Sequence, residues 1–184
     1  MSGIDFQASY DIDLGDYGAF NIGTTGTYYL KDQTQILPGG PITDAINFNG
    51  VNNGTTIPVL LTRSRLGWAT DAYSITLFWN HKSHFFTQQP LPPAAYLAKF
   101  PNYSDIEPAF DTFDLVLGYN TGDRPANDFL KNIAITLNIN DLLDRHASFS
   151  YNVASNGNSA VAFVNSSNEP YIGRFISLAI NKRW

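Results

Sequence analysis

Few side chains in this sequence could act on a substrate or hold a metal. The chain carries three histidines, His81, His84 and His146, and no cysteine, which excludes thiol nucleophiles, disulfides and thiolate metal sites. His81 and His84 stand three residues apart in strand-like sequence. Alternate strand side chains point to opposite faces, so this odd spacing sends the two imidazoles apart and no shared metal ion is expected. His146 follows Asp144 and Arg145 with no serine motif beside it. Asp5, Asp11 and Asp114 lie in alternating sequence, and Asp5 and Asp11 are too far apart on one strand to share a proton as a dyad. No catalytic residue, metal or cofactor is expected, and the chain does not read as an enzyme.

Composition narrows the alternatives. The 184 residues suffice for one domain, taken as 1–184. A net charge of -5 with 15% charged residues argues against a nucleic-acid partner. The 14% aromatic share, with abundant Gly, Asn, Thr and Ser, suits strands and turns better than helices. No run of 18 apolar residues exists for a membrane-spanning helix. Strands of a transmembrane barrel escape that test, because their alternation averages out. Met1-Ser2-Gly3 leads directly into strand sequence, so no signal peptide is expected at this start.

The polar residues must therefore be positioned by strands. Ile4, Phe6, Ala8, Tyr10 and Ile12 alternate with Asp5, Gln7, Ser9 and Asp11. Similar alternation sets Phe20 and Ile22 against Asn21 and Gly23, Leu66 and Trp68 against Arg63 and Arg65, and Ile75, Leu77 and Trp79 against Thr76 and Asn80. It continues with Leu115, Leu117 and Tyr119 against Asp114, and with Ile133, Ile135, Leu137 and Ile139 against Asn132 and Asn138. Residues 171–184 close the pattern: Ile176, Leu178 and Ile180 lie between Arg174 and Lys182 on one face. Apolar in its middle and basic near its ends, that face matches a strand crossing a bilayer, where long basic side chains snorkel to the interfaces. A soluble sheet strand over a core gives a similar alternation. The fold expected is all-β, an antiparallel up-and-down meander of about seven strands.

Connection lengths separate these environments. They alternate short and long, with the long ones at about 31–57, 83–108 and 143–169. A soluble sandwich gives no reason for that sorting, whereas an outer-membrane barrel puts short turns on the periplasmic side and long loops outside. From Trp184 back to Arg174 is ~33 Å of strand, rising ~25 Å at a ~40° tilt, about the height of the apolar band. Trp68, Tyr119 and Trp184 then fall in the inner aromatic girdle. In such a partial transmembrane β-barrel, Arg63, Arg65, Asn80, Asp114, Asn132 and Asn138 are expected to face the lumen, towards ligand or water. Phe85, Phe86, Tyr96 and Tyr103, in an outer stretch rich in proline, are the candidates for stacking on a ligand.

Residues 113–119 read Phe-Asp-Leu-Val-Leu-Gly-Tyr and residues 138–144 read Asn-Ile-Asn-Asp-Leu-Leu-Asp. Together they resemble the C-terminal barrel of TonB-dependent outer-membrane receptors, in which a "D-x-x-x-x-Y" strand precedes an "N-x-N-D/N-L-[LF]-D" strand end. Tyr171-Ile172-Gly173-Arg174 is similar to the opening of that family's closing strand, and the aromatic Trp184 to its assembly signal. Lys182 departs from the pattern, which usually has an apolar or aromatic residue there, as does Ala179, where glycine is common. The resemblance implies uptake of a scarce bulky nutrient, a ferric siderophore, a cobalamin or a glycan, across the outer membrane of a Gram-negative bacterium. It implies as partners the membrane lipid, the barrel assembly machinery, a plug domain and, through an N-terminal part not seen here, the TonB complex. The family's barrel has about 22 strands, so the chain is expected to be a C-terminal fragment supplying wall and outer loops. Two alternatives stay open at this stage. A self-contained small barrel needs an eighth strand, and residues 160–164 are too short to cross. A soluble β-sandwich, such as a carbohydrate-binding module, has its apolar faces packed together.

Overall fold

The computed structural model describes residues 1–35, 37–40, 42–44, 46, 57–86, 106–153, 160–164 and 172–184. Its strands are β1 (Ser2–Asp13), β2 (Ala19–Lys31), β3 (Gln33–Gln35), β4 (Ile42–Asp44), β5 (Leu60–Ala69), β6 (Tyr73–Lys82), β7 (Phe85–Phe86), β8 (Ile106–Glu107), β9 (Phe110–Asn120), β10 (Ile133–Asn140), β11 (Phe149–Val153), β12 (Ala160–Val164) and β13 (Phe175–Lys182). Seven of them form one antiparallel sheet in the order β1-β2-β5-β6-β9-β10-β13. The chain is thus an all-β meander of seven strands, with β1 and β13 as the open edges.

The connections sort by end. At one end β1 joins β2 through residues 14–18, β5 joins β6 through 70–72, and β9 joins β10 through 121–132. At the other end each long connection contains a short antiparallel pair: β3 with β4, β7 with β8, and β11 with β12. The alternation expected from sequence is present, but these stretches are not bare loop. Strands of two to five residues are too short for a period-two pattern to stand out beside proline and glycine.

Cross-strand register makes the two faces chemically distinct. Tyr10, Ile22, Leu66, Leu77, Leu115, Ile139 and Ile176 are successive partners across all seven strands. The next row towards the short turns is Ile12, Phe20, Trp68, Ile75, Leu117, Leu137 and Leu178. Shifted by one residue, the row on the opposite face is Asp11, Asn21, Gly67, Thr76, Val116, Asn138 and Ser177. Leu61, Phe78 and Val116 interrupt the polar face; a group of polar residues interrupts the apolar one near the long connections.

The apolar face has no cover among the described residues. Ile22 is 48% exposed, Leu66 47%, Leu178 62% and Ile180 64%. The buried apolar residues among those described are Ile46, Phe85 and Phe110, all towards the long-connection end. Burying one such Leu or Ile is worth ~1.5–3 kcal/mol, so in water this sheet forgoes the main term that holds a soluble fold together. Exposed apolar patches of more than a few hundred Å² mark sites of contact with a partner or a lipid phase.

The short turns are built from local polar contacts. Thr70 Oγ1 accepts from the backbone N–H groups of Ala72 at 3.3 Å and Tyr73 at 3.1 Å. Trp68 Nε1 donates to the Tyr17 carbonyl at 3.0 Å, fastening two neighbouring turns. Lys182 donates from Nζ to the carbonyls of Asp128, at 3.1 Å, and Lys131. Its ammonium also lies 5.1 Å from the Trp184 ring centroid. Lysine here serves the turn in a way that an apolar residue could not.

Candidate functional site

The polar face carries the candidate site where β5, β6 and β9 run side by side. Alternation puts Arg63, Asn80 and Thr112 in one row and Arg65, Phe78 and Asp114 in the next. Arg63 Nη1 donates to Asn80 Oδ1 at 2.9 Å, and its Nη2 lies 3.6 Å from Asp114 Oδ2. Asn80 Nδ2 donates to Asp114 Oδ2 at 2.9 Å and to Thr112 Oγ1 at 3.1 Å. The Arg63 guanidinium also sits 4.3 Å from the Phe78 ring centroid. Asp114 Oδ1 accepts the Asp141 N–H at 3.0 Å, joining the end of β10 to the same network. Beside the cluster is a hollow of about 700 Å³ whose lining includes Asp5, Gln7, Thr25, Thr27, Arg63, Asn80 and Thr112. Fixed hydrogen-bonding groups, the half-exposed Arg63 guanidinium, Lys82 and the Asp5 carboxylate are what it offers a polar ligand.

Of the six polar residues singled out in the sequence, Arg63, Asn80 and Asp114 come together and Arg65 lies next to them. Asn138 is across the sheet, donating to Ser177 Oγ at 3.4 Å. Asn132 lies outside the strand, exposed in the turn before β10 with φ 53°. Phe85 is packed, 3% exposed, with Lys82 Nζ 5.2 Å from its ring centroid. The backbone of Phe86 pairs with Ile106 in the β7–β8 ladder. Tyr96 and Tyr103 lie outside the described residues. Trp184 is 94% exposed, its ring 6.1 Å from that of Phe129 at the short-turn end.

Several polar contacts could not be found from alternation, because they depend on register between strands. His81 Nδ1 lies 2.8 Å from Asp111 Oδ1, which also accepts from Trp79 Nε1 at 2.7 Å. Their row partner Thr62 and the hydroxyl pair Thr24 and Ser64, 3.0 Å apart, complete a polar step near the long-connection end of the apolar face. His84 is exposed beyond β6. Among the described residues no three His, Cys, Asp or Glu side chains are grouped to hold a metal ion. Glu107 is 3% exposed and accepts from Ser148 Oγ at 2.7 Å. Asp141 is 6% exposed, and neither carboxylate oxygen has a hydrogen-bond partner among the described residues.

Asp144, Gly173 and Arg174, from two segments singled out in the sequence, meet in space. Asp144, at φ 56°, turns its carboxylate to accept the Arg174 N–H at 2.8 Å, fixing the entry to β13. A Cβ on Gly173 would fall 2.5 Å from Asp144 Oδ1, so glycine is required for the approach. The backbone bond from Arg174 holds the Asp144 carboxyl below its ordinary 3.8, and the Arg174 and His146 charges act in the same direction. A depressed folded value means that this bond contributes stability above the unfolded value and loses it as pH falls through the folded one. The denaturant midpoint should therefore drop on acidification below about pH 4, and should drop less in Asp144→Asn.

The chain finds no match among family models, curated proteins or solved structures.

Proposed function

We propose that this chain is wall and outer loop of a TonB-dependent outer-membrane transporter of a Gram-negative bacterium, its apolar face against lipid and its polar face towards the lumen. The observation that carries the proposal is the uncovered apolar face, continuous over seven strands whose connections are short at one end and long at the other. Lipid supplies the apolar surroundings that the described residues do not. Two bands on that face suit two membrane interfaces. Tyr73 and Tyr119 stack at 5.1 Å near the short turns, with Trp68 close by, as an aromatic girdle would. His81, Asp111 and Thr62 form the polar step at the other end. From Asp111 to Tyr119 is ~26 Å of strand, or ~20 Å along the normal at a ~40° tilt, close to the ~25 Å apolar band of such barrels.

The open edges bear on the partners. Unpaired backbone groups of β1 and β13 cannot be left in hydrocarbon, so further strands must complete the wall. The likeness of residues 113–119, 138–144 and 171–174 to the receptors' closing strands supports the transporter reading, with a plug, the TonB complex and the barrel assembly machinery as partners. Its cargo is the scarce bulky nutrient of that class, a ferric siderophore, a cobalamin or a glycan. Expression behind a periplasmic signal peptide, followed by fractionation and heat-modifiable gel mobility, tests the proposal. Outer-membrane or detergent-requiring material without a closed-barrel mobility shift is expected. A soluble periplasmic monomer rich in β-structure would contradict it, and a heat-modifiable barrel formed by this chain alone would point to a small barrel instead.

A further inference from the structure

The charges on the polar face do not balance locally. Each carboxylate near β1, β2 and β5 already has a partner: Asp5 accepts from Thr27 Oγ1 at 2.6 Å, Asp11 from Asn21 Nδ2, and Asp114 from Asn80 and Asp141. Arg63 is committed to Asn80, Asp114 and the Phe78 ring. Arg65 is not: its side chain has no hydrogen-bond or ion-pair partner among the described residues. It lies on the same face as Arg63, two positions along β5 and so ~7 Å away. Opposite it stands Gly23, where a Cβ would come within 3.0 Å of Arg65 Nε, so the missing side chain leaves room for the guanidinium. The two arginines border a hollow of about 180 Å³ whose lining includes Gln7, Ser9 and Thr25. At ~30 Å³ per water that is about six waters, room for a phosphate or a small dicarboxylate.

We propose that this hollow is an oxyanion subsite, in which Arg65 holds a carboxylate or phosphate group of a small solute while Gln7 and Ser9 supply hydrogen bonds. A guanidinium matches such groups with two parallel N–H donors, and the neighbouring hydroxyl and amide are neutral, so they add donors without cancelling its charge. The proposal rests on the lumen assignment only in making the anion part of a transported cargo. The 184-residue chain in detergent is titrated with inorganic phosphate, with succinate and with a tetraglutamate peptide, while circular dichroism follows the sheet in the same samples. Phosphate or succinate should bind, more weakly as salt rises, and Arg65→Gln should weaken binding ~10-fold or more, the loss of a charge-assisted contact. Arg183→Gln, beyond β13, should leave binding unchanged. A formed sheet that binds neither solute, or binds equally well after Arg65→Gln, overturns the subsite and leaves the wall proposal standing. Binding of the peptide alone overturns the assignment to a solute.

Discussion

On the proposed lipid contact of the apolar face, Leu77→Lys should prevent stable membrane association, while Thr76→Lys, one residue away, should be tolerated. Leu77 lies between Leu66 and Leu115 in the row that crosses all seven strands on the apolar face. Thr76 lies between Gly67 and Val116 on the polar face. A lysine on the lipid face near the midplane costs ~2–4 kcal/mol, whereas lumen positions accept polar groups. Against a total stability of ~5–15 kcal/mol that difference is large. The measurement is the fraction of each variant that resists urea extraction from membranes. Equal resistance of the two variants would remove the distinction between the faces on which the membrane assignment stands. Partial loss at both positions would have the same consequence.

The second large effect is expected at Asp114. One carboxylate there receives Asn80, Asp141 N–H and the Arg63 guanidinium, and so ties together β5, β6, β9 and the end of β10. Asp114→Ala leaves two partly buried donors unsatisfied at ~1–3 kcal/mol each. The Arg63 contact adds little, because its side chain is 53% exposed and such pairs are worth ~0–1 kcal/mol. A destabilisation of ~2–6 kcal/mol is expected, read as a lower denaturant midpoint for the chain folded in detergent. Asp114→Asn keeps an acceptor for the Asp141 N–H and should lose roughly half as much. Unchanged midpoints for both variants would show that the network does not hold the strand ends together.

The fold was legible in the sequence because period-two alternation is a local signal. Ile75, Leu77 and Trp79 against Thr76 and Asn80 announce both a strand and its two faces, and the long connections announce the order of strands. The candidate site was only half legible. Alternation places Arg63, Asn80 and Asp114 on one face, but which of them touch is decided by register, and a one-residue slip reverses a strand's faces. The bond from Asp144 to Arg174 spans 30 positions of chain, so nothing local in the sequence announces it. Asn132 fits the polar alternation by count, yet a left-handed residue ends the strand pattern there. The loop pairs β3–β4 and β7–β8 left no alternation to read. Lys182 looked like a departure within an apolar strand, because the carbonyls it serves belong to a turn some 50 residues earlier in the chain.

The absence of cysteine from the sequence allows the central claim to be tested one side chain at a time along β6. Single cysteines at positions 74 to 79, each carrying a spin label in membranes that hold the full chain, report contact with lipid through relaxation by oxygen and contact with water through relaxation by a nickel chelate. Strict alternation is expected, with positions 75, 77 and 79 accessible to oxygen and positions 74, 76 and 78 to the chelate or to neither. Access of the chelate to 75 and 77, or a profile without a period of two, would contradict the assignment of the apolar face to lipid.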